Sequence, residues 1–399
     1  MNQGALDDIK VLDLGRQISA PYCAKLLADY GAEVIKVEPP GEGDPARRMG
    51  PFPGDVPHRE KSGLFLHLNA NKKGITLNLQ CGAGAGLLKE LVRQADILVE
   101  NFHPSFLPSL GLGYPDLEAE NPGLVMTSIT PFGLTGPYRD HLATEMGVFA
   151  VSGRMHIHGH ADREPLRYAP DTSWFQAGAT AAISTMGAFL ASRATGAGQQ
   201  VDVSAMETLV GNVDNRPLFY AYSGIKSERG NWPGGYPQGA YPCEDGYVAF
   251  GIGTSMFFGR LCQAMGRPDI LEDPRFATPD ARSEHQGEFE EILLGWTMTL
   301  TKRELFQVCQ DAGVLCAPLL GPDELLSDPQ LTERHYFEEV EHPQAGRLTQ
   351  TGPPFKMAKT PPKARSAAPL LGEHNVEVYR GRLGCSPQDL VHLRSAGVI

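Results

Sequence analysis

No apolar run in this chain approaches the ~20 residues needed to cross a bilayer. The longest apolar-looking stretch, Ala177 to Ala191, is broken by Thr, Ser and Gly. The opening residues, Met1-Asn2-Gln3-Gly4-Ala5-Leu6-Asp7-Asp8, lack a basic start followed by an apolar stretch. The sequence therefore predicts no signal peptide and no membrane partner. Cysteine is sparse, with seven residues scattered through 399 and no Cys-x-x-Cys pair near a histidine. That pattern argues against both a zinc site and a disulfide framework, and a reducing, cytoplasmic setting is expected. A basic excess is also missing, because 35 Lys and Arg face 47 Asp and Glu, a formal net charge of -12. No nucleic-acid partner is expected without a basic stripe. A phosphate-rich ligand would have to be held by local Lys, Arg and backbone amides rather than by the global field. Repeats and low-complexity tracts are absent.

What is present reads as a folded α/β chain, with 41% hydrophobic and 21% charged residues and length for more than one domain. Ile9 to Leu14 is a short apolar strand that runs into Gly15 and a small-residue turn at Ser19-Ala20-Pro21. Tyr22 to Tyr30 has helical spacing, with Cys23, Leu26 and Leu27 on one face. Gly31 stops it, and Ala32 to Glu38 is the next strand. The alternation recurs: a strand at Gly74 to Leu79, a helix at Gly84 to Gln94, and strands at Ala95 to Glu100 and Leu124 to Ile129. Strands alternating with helices mean a mostly parallel sheet. Ligands of such sheets bind at strand carboxyl ends. The places to look are Gln17 to Pro21, Glu38 to Gly43, Glu100 to Pro104 and Thr130 to Arg139.

Ala177 to Arg193 reads as a long helix of small residues, suited to the core or to a subunit contact, and Gln200 to Ser204 as a strand. Composition changes after about Gly224. A Gly/Pro-rich loop spans Arg229 to Pro237, with Trp232-Pro233 and Gly234-Gly235 inside it. A strand at Gly246 to Phe250 follows, then helical segments near Phe257 to Met265, Glu284 to Met298 and Lys302 to Ala312. This predicts a smaller α+β domain. Gly352 to Ala368 is Pro-rich and expected to be extended, and a short helical tail is expected from Glu373 to Arg382.

A set of strings, met in order across most of the chain, resembles the class III CoA-transferases. This group includes formyl-CoA transferase, carnitine CoA-transferase and the 2-methylacyl-CoA racemases. The strings are Val11-Leu12-Asp13-Leu14 with Ala20-Pro21, then Gly31 to Glu38, and Asn69-Ala70-Asn71-Lys72-Lys73. They continue with Ala95-Asp96 through Glu100-Asn101-Phe102, Phe132-Gly133 with Thr135-Gly136-Pro137, and Thr195-Gly196-Ala197-Gly198-Gln199 with Val201 to Ser204. Asp273-Pro274-Arg275-Phe276 and Leu371-Gly372-Glu373-His374 complete the set. The resemblance implies an α/β fold with a Rossmann-like large domain built from the N- and C-terminal parts and a smaller α+β domain. On this reading residues 1–223 and 331–399 form the large domain and 224–330 the small one. It also implies an interlocked dimer, coenzyme A or acyl-CoA as substrate beside a carboxylic acid, and no permanently bound cofactor.

A CoA-transferase moves coenzyme A from one carboxylic acid to another, and a carboxylate nucleophile suits the task. It attacks the donor thioester, releasing the CoA thiolate and leaving a mixed anhydride. The thiolate then forms an enzyme thioester, which the acceptor acid resolves. In the family an Asp stands four residues before a Gly that opens a small-residue helix leading to Thr-Gly-x-Gly-Gln. Here Gly178 and Thr195 to Gln199 fit that pattern, and the position four before Gly178 is Trp174. Indole cannot be acylated in this way.

Three readings stand side by side. The chain is a subunit without the nucleophile, closest in character to that of succinyl-CoA:benzylsuccinate-type transferases, and pairs with an Asp-bearing homologue as a heterodimer. Alternatively it is an active homodimer in which a displaced carboxylate, Asp171 or Glu145, serves. For these the plainer roles are a helix cap formed by Asp171 with Thr172 and Ser173, and a structural pair for Glu145. In the third reading it binds acyl-CoA without transfer, as a regulatory or scaffold protein. Racemase chemistry is disfavoured because His141 to Glu145 lacks the family's His-Asp pair.

For coenzyme A the resemblance points to Asn69, Asn71, Lys72 and Lys73, placed just before a strand and suited to its phosphates. It also points to Gln17, Ile18, Ala20, Pro21, Asn101 and Phe102 at strand ends. Arg47 and Arg48 are further phosphate candidates. His156, His158 and His160 would share one face if they lay on a strand, but a solvated face is the expected reading and no metal is assigned. Gly234-Gly235 is either a mobile lid or a turn.

Overall fold

The computed structural model describes residues 4–212, 216–229, 237–252, 255–362 and 366–399. The loop with Trp232-Pro233 and Gly234-Gly235 lies outside them. The chain opens with β1 (Lys10–Asp13), α1 (Ser19–Asp29), β2 (Glu33–Glu38), α2 (Gly63–Asn69) and β3 (Lys72–Thr76). It continues through α3 (Gly82–Val92), β4 (Ile97–Glu100), α4 (Phe106–Ser109), α5 (Tyr114–Glu118) and β5 (Val125–Thr130). Next come α6 (Glu145–Val151), the 24-residue α7 (Thr172–Thr195), β6 (Gln199–Ser204) and α8 (Ala205–Asn212). All six strands pair in parallel, in the order β3-β2-β1-β4-β5-β6. This is a Rossmann-like doubly wound sheet whose strand order reverses between β1 and β4.

Both faces are covered, as a parallel sheet requires. Side chains alternate along each strand. Val11, Val34, Val99, Val125 and Val203 pack against α1 and α7. Leu12, Ile35, Leu98 and Met126 face the opposite way, toward α3, α5 and the C-terminal segment. That segment returns to the sheet through helices at Asn375–Gly381 and Pro387–Ser395. Tyr379 donates its hydroxyl to the Thr76 carbonyl at 2.7 Å. The large domain is thus built from both ends of the chain.

The chain divides into two compact units. One comprises residues 1–159, 163–227 and 334–399, and the other residues 160–162 and 228–333. The second is α+β. Strands Gln238–Cys243, Gly246–Gly251 and Cys316–Pro318 form an antiparallel sheet. Helices Ser255–Ala264, Gln286–Thr297 and Lys302–Asp311 share its core of Phe258, Phe289 and Leu305. Among the described residues no helix is long and apolar enough to cross a membrane.

Several boundaries differ from the sequence expectations. Ser19-Ala20-Pro21 is not a turn but the first turn of α1, where proline is tolerated. Strand β3 runs from Lys72 to Thr76, two residues ahead of the expected start. Met155–Ile157 is a 3₁₀ turn followed by irregular backbone, so His156, His158 and His160 do not share a strand face. A hairpin, Phe337–His342 with Gly346–Thr351, precedes the irregular stretch that begins at Gly352.

Helix α7 crosses α1 at close range because Gly178 has no side chain. A Cβ there would stand 2.5 Å from the Ser19 carbonyl oxygen. Gly187, on the same helix, has open space around it. Gly178→Ala is expected to cost about 1–3 kcal/mol through overpacking. Gly187→Ala is expected to add roughly 0.5–1 kcal/mol through helix propensity. Urea unfolding of the two variants checks this pair of opposite signs.

Candidate active site

The loop after β1 is held from three sides. The Gly15 N–H donates to Asp13 Oδ1 at 2.9 Å. The Arg16 N–H donates to Asn101 Oδ1 at 2.8 Å, and Asn101 Nδ2 donates back to the Arg16 carbonyl at 2.8 Å and to Ser19 Oγ at 3.0 Å. Asn101 thus pairs with one residue of the loop much as a neighbouring strand would. Gln17 has a left-handed backbone (φ 57°), and its N–H donates to Asp44 Oδ1 at 2.9 Å. Asp44 in turn pairs with the buried Lys36 at 2.8 Å, and Lys36 donates to the Gly15 carbonyl. Burial works against both charges, but their mutual attraction wins. Lys36 is raised by the charges of Asp13 and Asp44, and Asp44 is lowered by that of Lys36.

Beside this loop lies a cleft of about 440 Å³. It sits at the carboxyl ends of β1, β2, β3 and β4, where the strand order reverses. Its apolar walls include Leu77, Leu79, Phe102 and Phe106, and its cations are Arg16 and Arg48. The Arg16 guanidinium stands 4.8 Å from the centre of the Phe102 ring. Arg48 donates to the Glu42 carbonyl at 2.7 Å. Two guanidiniums beside aromatic and aliphatic walls suit a ligand with both phosphate and apolar parts.

Of the residues singled out in the sequence, Phe102 lines the cleft, and Asn101 and Gln17 shape its edge. Ile18, Ala20 and Pro21 are buried where α1 begins. Arg16 was missed. Its signal was its position directly after the β1–Gly15 turn, at a strand's carboxyl end.

None of Asn69, Asn71, Lys72 and Lys73, expected to hold phosphates, lines this cleft. Lys72 is a buried strand residue. Its ammonium donates to Asp13 Oδ2 at 2.8 Å, the Pro21 carbonyl at 2.8 Å and Asn69 Oδ1 at 3.0 Å, which uses all three N–H bonds. Lys73 pairs with Glu33 at 2.8 Å and Glu377 at 2.6 Å. Asn71 donates to Asp29 and accepts from the Ser366 N–H. Arg47 is likewise fully buried. It makes a two-pronged pair with Glu38, a second pair with Glu60, and stacks 3.7 Å over the Phe65 ring. Arg48 alone of that arginine pair reaches the cleft.

The amino end of α7 carries the other candidates. Trp174 is half-buried and packs on the core shared by α1 and α7. Asp171 has a left-handed backbone (φ 68°) and makes no side-chain cap. Its carboxyl is raised by partial burial and by the Glu145 charge, with Arg167 opposing. The cap comes from Glu145. Its Oε1 accepts from the Ser173 hydroxyl at 2.5 Å and from the Ser173 N–H at 3.4 Å. Glu145 Oε2 is buried without a hydrogen-bond partner. A carboxylate thus sits against the positive end of a long helix with one oxygen unengaged. Among the described residues no cluster of His, Cys, Asp or Glu has the arrangement to hold a metal.

Lys72→Met is expected to destabilise the fold by about 3–5 kcal/mol, the cost of leaving a buried charge unpaired. Denaturant unfolding measures this. Coenzyme A affinity, measured where the variant is folded, is expected to change little. A large loss of affinity at unchanged stability would return Lys72 to the phosphate ligands.

Comparison with known proteins bears on this geometry. The model of CoA-transferase family III matches residues 6–375. The chain is 37% identical over 399 residues to the succinyl-CoA–D-citramalate CoA-transferase of Chloroflexus aurantiacus, covering 99% of this chain and 98% of that protein. It is 33% identical to the succinyl-CoA–L-malate CoA-transferase beta subunit of the same organism, again over 99% and 98%. A crystal structure of a CAIB/BAIF family protein from Brucella suis superposes with a TM-score of 0.86 at 30% identity, covering 96% of this chain and all of that one. The chain belongs to CoA-transferase family III, whose transferases move coenzyme A from one carboxylic acid to another.

Proposed function

We propose that this chain seats an acyl-CoA in the cleft beside Arg16 and Arg48 and serves as the subunit without the nucleophilic Asp in a heteromeric transferase. The observation that carries the subunit reading is Trp174, an indole four residues before Gly178, where the family pattern calls for an acylatable carboxylate. In the cleft, Arg16 and Arg48 meet the phosphates of coenzyme A, and Phe102 and Phe106 pack against its apolar parts. The acids exchanged are dicarboxylic, the class named for the two Chloroflexus relatives. Coenzyme A enters as substrate, and the reaction needs no permanently held cofactor.

A second chain is supported by α7 itself. It is apolar on more than its core face, with Ile183 77% and Leu190 63% exposed. Tyr222 and Ile225 add exposed apolar surface nearby in sequence. Such surface asks for a cover. A relative named as a beta subunit supports a heteromer, and interlocking of the two chains belongs to the same proposal.

One observation favours a second reading, an active homodimer. Glu145 Oε2 is buried and without a hydrogen bond at the amino end of α7. As the nucleophile, that oxygen would attack the thioester carbonyl carbon. The C–S bond would break, CoA would leave as thiolate, and a glutamyl mixed anhydride would remain. The thiolate would then attack the glutamyl carbonyl and expel the donor acid, leaving a glutamyl-CoA thioester for the acceptor carboxylate to resolve. Asp171, with its raised carboxyl, is the other displaced candidate.

Two measurements test these readings. Calorimetric titration with coenzyme A is expected to show binding, weakened about tenfold or more in Arg16→Ala, the loss of a charged contact. No binding at millimolar ligand would overturn the cleft assignment. Incubation with succinyl-CoA, borohydride reduction and peptide mapping then separates the roles. Binding without a modified carboxylate, with turnover restored by an Asp-bearing homologue, is the expected result. A modified Glu145 or Asp171 would establish a self-sufficient enzyme. Binding without turnover beside any such homologue would leave a non-catalytic acyl-CoA binder.

A further inference from the structure

Another pocket of the large unit, of about 580 Å³, shares no residue with the acyl-CoA cleft. Three pieces of chain wall it: Pro51 to Pro53 in the loop after β2, helix α2, and the second hairpin strand, Gly346–Thr351. All three belong to one compact unit, and hydrogen bonds tie them together. The Gly63 N–H donates to the Pro51 carbonyl at 2.8 Å. The Gln350 amide, 8% exposed, donates to the Leu66 carbonyl at 3.4 Å. Ser62 caps α2 by accepting from the Phe65 N–H at 3.2 Å, and its hydroxyl donates to the Met49 carbonyl at 2.6 Å. The three walls are therefore held at a fixed spacing.

Phe52, Leu66 and Leu348 give the pocket an apolar lining. Lys61 is the one Lys or Arg in that lining, and among the described residues no Asp or Glu joins it. Neighbouring acids are turned elsewhere. Glu60 pairs with Arg47 at 2.6 Å, and Glu339 takes Arg347 at 2.7 Å and the Thr349 hydroxyl at 2.5 Å. Asp55 is exposed and outside the lining. Lys61 itself is half-buried, and among the described residues no carboxylate pairs with its ammonium. Its backbone is anchored by its own N–H to the His58 carbonyl at 2.9 Å and by the Ser62 cap that follows. A cation partly out of water, beside apolar walls and without an anion, is an incomplete pair.

One negative charge on an apolar body completes that pair. A second charge would lose its water and find no cation in the pocket, and a phosphomonoester carries close to two near neutrality. A carboxylate on a hydrocarbon chain or ring meets both conditions. We propose that this pocket binds a monocarboxylic acid with an apolar body, its carboxylate paired with the Lys61 ammonium and its hydrocarbon part against Phe52, Leu66 and Leu348. The loop after β2 serves both sites, since Arg48 lines the acyl-CoA cleft and Pro51 to Pro53 line this pocket. His67, also in the lining, has its ring 6.4 Å from that of Phe175 on α7. The acid thus sits beside the cleft loop and near α7 without entering the cleft. The proposal rests on Lys61 and the apolar walls and not on the transfer reading, and its acid class differs from the dicarboxylic acids of that reading.

The test is calorimetry of the full chain, free of coenzyme A, with phenylacetate and with hexanoate. It is run at about pH 8, where an imidazole is ordinarily neutral and a lysine charged. Both acids are expected to bind with dissociation constants below about 10 mM. Phenylacetamide has the same body without the charge, and succinate has two charges without the body. Each is expected to bind about tenfold or more weakly than phenylacetate. Lys61→Met is expected to weaken phenylacetate about tenfold or more, and Lys61→Arg to keep its affinity within about threefold. Arg16→Ala, which alters the cleft, is expected to leave phenylacetate binding unchanged. No binding of either acid at about 10 mM would overturn the proposal. So would phenylacetamide or succinate binding as tightly as phenylacetate, an affinity unmoved by Lys61→Met, or binding lost in Arg16→Ala but kept in Lys61→Met. The amide comparison uses the unaltered chain, so it decides the charge assignment independently of how any variant folds.

Discussion

The buried charges under the β1 loop are the constraint on which the rest of the large domain depends. Asp13, Lys36 and Lys72 project from three adjacent strands into the same interior, and Asp44 closes the set from the β2 loop. Each is at most 4% exposed. Hydrophobic residues in those places would fill the volume but leave the loop's polar backbone without partners. Lys36 takes the Gly15 carbonyl, Lys72 takes the Pro21 carbonyl, and Asp44 takes the Gln17 N–H. The network therefore spends its charges on backbone groups that would otherwise be orphaned. It holds residues 15–21 in one conformation at the mouth of the cleft. Burying four charges costs desolvation, so the gain lies in a fixed loop rather than in added stability.

A second constraint is the tight crossing of α1 and α7. Gly178 lets the Ser19 carbonyl approach, and Gly198, where a Cβ would stand 2.0 Å from the Leu124 carbonyl oxygen, lets β6 enter beside β5. These two glycines, one in the second turn of α7 and one just past its end, set its position against the sheet. With the helix so placed, Glu145 meets its amino end and substitutes for a conventional cap. Asp171, which looked like the cap in the sequence, is turned away by its left-handed backbone. The two acids are then close enough for Glu145 to raise the Asp171 carboxyl. One site holds two carboxylates, and only Glu145 is bonded to the helix.

The fold was legible because its signals are local and repeated. Strand, helix, Gly31 and strand within the thirty residues from Ile9 to Glu38 give the sheet its class, and the ordered strings give the family. The cleft was half legible. Strand-end reasoning found Asn101 and Phe102 but passed over Arg16, and the family resemblance put Lys72 just before the strand as a phosphate ligand. The reason is physical. Lysine in a strand is read as exposed unless its partner is known, and the partner, Asp13, lies 59 residues earlier in the chain. The same holds for Arg47, whose acids Glu38 and Glu60 flank it at distances no helix or strand period suggests. His156 to His160 misled in the opposite way, since alternation alone does not make a strand.

Long-range pairing also explains how an acidic chain presents cations where it needs them. Many of its Lys and Arg side chains are neutralised by neighbours, as Lys25, Lys36, Lys72, Lys73 and Arg47 are. Arg16 and Arg48 differ in that their recorded contacts are with aromatic rings and a backbone carbonyl. Neither contact cancels charge, so these two exposed guanidiniums keep theirs beside the cleft, among walls that also include Glu38, Glu42 and Asp44. The overall charge of -12 then works in their favour. It disfavours anions over the general surface, and on the proposed reading the cleft is where a phosphate-bearing ligand would sit. A uniformly basic surface would bind such a ligand in many places, whereas two unneutralised arginines at one strand-end cleft would favour one of them.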